Sequence, residues 1–176
     1  DITIEQIYDR IEEEAKNQQA LVKGRIPIEM LKTKIKLFAE HRDFIAKTKE
    51  DYMSKLSIND LVKLSQISVI DLSGLNLYDQ QILISVILRK MLTERVQRKI
   101  PPALIILEEA HRFIPSTGKS LSEKIIKRIA QEGRKFFLGL GVISQRPSRI
   151  DDDVLSQCNT QIVLRLTNPD DQAYVR

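Results

Sequence analysis

The stretch ALIILEEAHRF, residues 103–113, decides the fold. It follows Pro101 and Pro102, runs through the apolar residues Leu104, Ile105, Ile106 and Leu107, and ends on the paired carboxylates Glu108 and Glu109. A short apolar run that stops at charge is the pattern of a buried parallel strand whose carboxyl end opens into a loop. Working upstream, the residues from Tyr78 to Arg98 are apolar around much of a helix, which implies burial. Before them, QISVIDLSGLN holds a β-branched run at 67–73 that closes on Asp71, Ser73 and Gly74, the profile of another strand. Downstream, a helix is expected from about Leu121 to Gln131 and a strand within KFFLGLGVIS at 136–143. A short helix near Asp151 to Ser156 and a last strand in TQIVLRL at 160–166 follow. Strands alternating with helices define an α/β fold with a parallel sheet.

Residues 1–66 have a different texture and are expected to form a helical subdomain, with 67–176 as the α/β core. Thr3 and Gln6 give a capping-box signal, and Ile4, Ile7 and Ile11 recur at helical spacing. A second helix is expected near Pro27, carrying Ile28, Leu31, Ile35, Phe38 and Ile45 on one side. A third begins at Ser57, although LVKLSQISV also fits a strand.

The chain of 176 residues is long enough to bury a core, and 42% hydrophobic content with 5% aromatic points to an aliphatic, Ile-rich one. Against 28 Lys+Arg stand 24 Asp+Glu, so the net charge of +4 establishes no surface-wide attraction for nucleic acid. The single Cys158 excludes an internal disulfide and a multi-thiolate zinc site, and is expected as a buried apolar side chain. No apolar run reaches the length of a membrane span and no signal core opens the chain, so a cytoplasmic location is expected.

In a parallel sheet, functional groups gather where strands end at their carboxyl edge. At such an edge one of Glu108 and Glu109 can hold magnesium and the other can orient or deprotonate an attacking water. Equally, the two acids can simply match a helix dipole. Gln145, after the next apolar run, can donate to a phosphate or orient water without competing for a metal, or be a plain loop residue. Arg134 lies at the opposite end of that strand, where a guanidinium can reach a neighbouring subunit's site or just face solvent. His111 and His41 have no ligand partner at metal spacing and are expected to be structural. The acids Asp151, Asp152 and Asp153, like Asp170 and Asp171, are expected to cap helices.

Taken together, LIILEEAHRFIP, IAQEGRKF, GVISQRPSRIDDDVLSQCNTQIVLRLTNPDDQ and VIDLSGL resemble, in order and spacing, the later motifs of the HerA/FtsK-type ring ATPases, HerA-like DNA translocases in particular. Glu108 stands where the commoner Asp of the Walker B segment would be. The resemblance spans 67–176, while 1–66 match only the kind of helical insert found in such proteins. It implies part of a RecA-like P-loop NTPase fold, with magnesium at Glu108, a catalytic carboxylate at Glu109, a sensor amide at Gln145 and an arginine finger at Arg134. It also implies ATP and magnesium as cofactors, DNA as partner, a hexamer, and a nuclease of the NurA type.

One element of that family is missing from the sequence. The G-x-x-x-x-G-K-[ST] loop, whose backbone N–H groups and lysine hold the β and γ phosphates, does not occur. Gly118-Lys119-Ser120 imitates its end, but Phe113 stands where the first glycine belongs and the segment follows Glu108 and Glu109. RFIPSTGKS is expected to be a solvated loop, with Arg112 and Lys119 as candidate DNA contacts. The chain opens with Asp1, as a trimmed piece of something longer would.

Without the loop's strand, strands 67–73, 103–107 and 136–143 should be adjacent and strand 160–166 should lack its neighbour, exposing an edge. The expected function is therefore a fragment or truncated member of the translocase family, inactive alone. The alternative is a non-catalytic interaction module that keeps the fold. A DEAH-type helicase, resting on residues 108–111 only, is disfavoured by the surroundings of Gln145.

Overall fold

The computed structural model describes residues 57–175 together with Asp9, Arg10, Glu13 and Thr33, and the chain divides at Ser57 into two compact units. In the first unit the four described residues are helical and exposed. The helices expected from Thr3 and Pro27, and His41, lie outside the described residues.

The second unit opens with α1 (Ile58–Leu61), where Ser57 and Asp60 form a capping box. Then come α2 (Leu77–Val96), β1 (Ala103–Leu107), α3 (Glu123–Glu132), β2 (Leu138–Val142), α4 (Asp152–Leu155) and α5 (Pro169–Tyr174). Single 3-10 turns occupy Ala110–Arg112, Gly133–Phe136 and Pro147–Arg149. Helix α2 begins at Asn76, whose side-chain oxygen accepts from the Asp79 N–H at 3.0 Å. Its burial is one-sided. Ile84, Leu88, Met91 and Leu92 face the core while Val86 is 57% exposed, so the apolar residues around the rest of the helix do not enclose it.

Strands β1 and β2 are parallel and adjacent, in register from Ala103 opposite Leu138 to Leu107 opposite Val142. A connection of this length, carrying α3, is what a parallel pair requires. Ile105 and Leu107 point to the buried side with Leu138, and join Ile125, Ile126 and Ile129 of α3 in one aliphatic core. Each such fully buried side chain contributes about 1.5–3 kcal/mol. Sheet parity puts Leu104 and Ile106 on the other face, 67% and 58% exposed, beside Gly139 and Gly141.

Two of the four expected strands are not strands. Residues 66–72 and 160–167 form irregular chain, with Ile67, Val69, Ile162 and Leu164 more than four-fifths exposed. A strand exists through its neighbour, and among the described residues β1 and β2 pair only with each other. Residues 66–72 are held instead by local side-chain bonds. Gln66 Nε2 donates to the Asp60 carbonyl at 3.0 Å, and Gln80 Nε2 donates to the Leu72 carbonyl at 2.9 Å. The expected adjacency of 103–107 with 136–143 is present and that of 67–73 is not, while 160–166, expected as a strand lacking its neighbour, is irregular chain.

The acids at the starts of α4 and α5 divide. Asp151 caps α4, accepting from the Asp153 N–H at 3.1 Å, and with Glu123 it surrounds the Lys127 ammonium, whose pKa these hydrogen bonds raise. Asp171 does not cap: Asn168 does, and Asp171 is buried at 1% exposure. Cys158 is half-buried, with its thiol donating to the Val154 carbonyl, and burial pushes its pKa up.

Gly133, the residue just past α3, packs its backbone against Leu138. A Cβ there would lie 2.5 Å from the Leu138 carbonyl oxygen and 3.1 Å from Ile129 Cγ2, whereas one at Gly74 would meet nothing within 4 Å. Gly133→Ala is expected to cost about 1–3 kcal/mol in chemical denaturation, and Gly74→Ala to stay within about 0.5 kcal/mol. Equal midpoints for the two variants would contradict this packing.

Candidate functional site

The carboxyl ends of the paired strands form one rim. Beyond Leu107 and Val142 the two chains stay tied, with Ile143 N–H donating to the Leu107 carbonyl at 2.9 Å and Ala110 N–H donating to the Ile143 carbonyl at 3.0 Å. Glu108 and Glu109 lie between those tethers on one chain, and Ser144 and Gln145 follow the tether on the other. The backbone exits that carry Glu108, Glu109 and Gln145 are thus held side by side. Arg134 is placed apart from them. It sits exposed in the 3-10 turn before β2, with that strand's five residues, about 3.3 Å each, between it and the rim.

Glu109 adopts the left-handed conformation, φ 50° and ψ 42°. For a residue with a Cβ this costs about 1–2 kcal/mol, and here it turns the chain sharply from strand into the Ala110–Arg112 turn. The Ala110 bond to β2 helps to hold the turn in place. Ala110 is fully buried, so the bend is anchored under the surface while the Glu109 carboxylate remains 46% exposed.

His111 connects the two sides of the rim. Its Nδ1 lies 2.9 Å from Ser144 Oγ and 3.4 Å from Glu109 Oε2. Burial, opposed by Glu109 and assisted by Arg146, Arg112 and Arg149, holds the imidazole pKa below its ordinary 6.5. Ser144 Oγ also accepts from the Arg146 N–H at 3.0 Å. Residue spacing gives no sign of the contact between His111 and Ser144. Their signal is spatial: His111 is two residues beyond Glu109 but 33 residues from its serine partner.

The fit to magnesium is partial. Magnesium is usually held by one or two carboxylates together with phosphate oxygens and water, and exposed Glu108 suits that mode. Among the described residues no group of three or more His, Cys, Asp or Glu side chains is placed to hold a metal ion. A triphosphate does not fit these residues alone. Gly118, at φ +91°, and Lys119 belong to an exposed irregular loop before α3, and no strand leads into them. Lys119 and Arg112, the candidate DNA contacts, are both exposed. No helix among the described residues is long and apolar enough to cross a membrane.

A parallel β–α–β unit with polar residues beyond the carboxyl ends of its strands is the arrangement in which α/β proteins place their ligands. Within that class, the chain is 51% identical to the DNA double-strand break repair helicase HerA of Pyrococcus furiosus over 49% of its own length and 16% of the relative's. It is 35% identical to HerA of Sulfolobus acidocaldarius over 97% of the chain and 34% of that protein, and 34% identical to HerA of Sulfurisphaera tokodaii over 77% and 31%. No protein-family model matches the chain. The chain belongs to the HerA-like ATPase family. It spans about a third or less of the length of these relatives.

Because its folded pKa is depressed, neutral His111 stabilises the fold fully above pH 6.5, and that contribution is lost as pH falls through the folded value. The thermal unfolding midpoint is therefore expected to drop between pH 7 and pH 5, and to drop less in His111→Asn. Identical pH dependence in both proteins would contradict the burial of His111 at the rim.

Proposed function

We propose that this chain supplies the Walker B and sensor portion of a HerA-like, ATP-dependent DNA translocase. Hydrolysis would require a phosphate-binding loop from sequence not present in these 176 residues. The observation that carries the proposal is the shared rim: Glu108 and Glu109 end β1, Gln145 follows β2, and backbone bonds tie the two exits together.

When bound, magnesium and ATP supply the phosphoanhydride and much of the charge neutralisation. Glu108 would provide a carboxylate ligand to the metal. Glu109 would take a proton from the attacking water, its backbone set by the left-handed turn and its carboxylate 3.4 Å from His111 Nδ1. Gln145 would orient that water or donate to the terminal phosphate. Arg134, at the far end of β2 and exposed, would serve the site of an adjacent subunit in a ring, where its guanidinium could meet transition-state charge in trans.

DNA as substrate comes from the relatives' names as repair helicases. The hexamer, the nuclease partner of the NurA type and a cytoplasmic location come from the family resemblance. The alternative, a non-catalytic docking module, is favoured by the exposed apolar segments around Ile67, Val69, Ile162 and Leu164.

Calorimetry with magnesium should detect no nucleotide binding by the 176-residue chain, and binding should appear in a longer protein carrying the phosphate-binding loop. Tight binding by the chain alone would overturn the division of labour. In the longer protein, Glu109→Gln should lower hydrolysis by about 100-fold or more while nucleotide binding persists. An unchanged rate would remove Glu109 from its role and favour the docking module.

A further inference from the structure

The loop that bears Gln145 is bracketed by two serines, and each is held by a side chain from elsewhere in the fold. Ser144 Oγ meets His111 Nδ1 at 2.9 Å. At the other end Asp171 Oδ1 accepts from both Ser148 N–H, at 3.0 Å, and Ser148 Oγ, at 2.6 Å. Between the serines, Gln145 and Arg146 are exposed. Just beyond, the Arg149 carbonyl accepts from Ser116 N–H at 2.9 Å, and Asp151 N–H donates to the Ile114 carbonyl at 3.0 Å. The loop is therefore fastened to the chain leaving β1 as well.

Asp171 is an unusual anchor. It is the buried residue of α5, at 1% exposure, while Asp170, Gln172, Ala173 and Tyr174 are exposed. A buried carboxylate is costly unless its oxygens are satisfied. The two bonds from Ser148, with Arg146 and Arg149 nearby, favour its charged form and hold its pKa below the ordinary range. Docking a six-residue helix needs only an apolar contact, and Tyr174 already fastens α5 through its hydroxyl bond to Asp152. A charge aimed at a backbone N–H of the neighbouring loop instead fixes that loop's geometry.

We propose that Asp171 is a positioning residue for Gln145: through Ser148 it pins the far end of the 144–148 loop, whose near end is tied to the Glu108–Glu109 turn by Ile143 and by the contact of Ser144 with His111. This rests on the role assigned to Gln145 above. The effect on chemistry is indirect, since Asp171 touches the loop and not the reacting atoms. Displacing an orienting amide by an ångström can cost up to about 100-fold in rate.

Hydrogen exchange on the 176-residue chain tests the positioning claim without any activity. Asp171→Ala should speed exchange at the hydrogen-bonded amides of Arg146, Ser148 and Arg149 by about tenfold. Asp171→Asn, which keeps an accepting oxygen, should restore most of the protection. Should Asp171→Ala fail to fold, Ser148→Ala, which loses only the hydroxyl bond, must speed the same amides by a smaller factor. Faster exchange confined to α5, with the loop unchanged, would overturn the proposal. In the longer protein, Asp171→Ala should lower kcat about tenfold with KM for ATP within about twofold, and Asp171→Asn should recover it. An unchanged kcat would also overturn it. An unaffected Glu109→Gln enzyme, by contrast, would sink the proposed function while the loop exchange still decides what Asp171 holds.

Discussion

Five registered residue pairs between β1 and β2, extended by the bonds from Ile143 to Leu107 and from Ala110 to Ile143, fix everything that can act at this rim. Register is a discrete property: a slip of one residue would send Ile105 and Leu107 to the open face and Leu104 and Ile106 into the core. The buried side is closed by Ile125, Ile126 and Ile129, so such a slip is opposed by the whole aliphatic cluster. The same pairing that builds the core therefore sets the spacing between the Glu108–Glu109 turn and the loop of Gln145. Gly133 lets α3 end directly against Leu138 and so preserves that spacing from the opposite end.

Much of this was legible in the sequence because it is local. The run from Leu104 to Leu107 ending at two acids marked β1, helices α2 and α3 showed their apolar spacing, and Ser57 and Asp151 announced their caps. What could not be read was partnership. QISVIDL and TQIVLRL have the composition of strands, but composition carries no neighbour, and in the described residues both remain irregular with Ile67, Val69, Ile162 and Leu164 in solvent. The site divided in the same way. The places of Glu108, Glu109 and Gln145 just beyond β1 and β2 could be read because strand ends are predictable positions. His111 is structural, as expected, but its partner Ser144 and the bond of Asp171 to Ser148 could not be read, since pairings across 33 and 23 residues leave no periodic trace.

The open face of the sheet is a further consequence of the short pairing. Parallel sheets are ordinarily covered on both faces, yet Leu104 and Ile106 are more than half exposed beside two glycines. Family membership and the chain's coverage of a third or less of its relatives give this exposure a context: in the proposed longer protein, further elements would cover the face and extend the sheet. The backbone at the rim is already tied by β1, β2 and the bonds beyond them.

The most direct measurement is a crystal structure of the longer protein with magnesium and a non-hydrolysable ATP analogue. The account predicts the γ-phosphate, or the water facing it, within hydrogen-bond reach of both the Glu109 carboxylate and the Gln145 carboxamide. A triphosphate seated away from the carboxyl ends of β1 and β2, with those two side chains still in solvent, would contradict it.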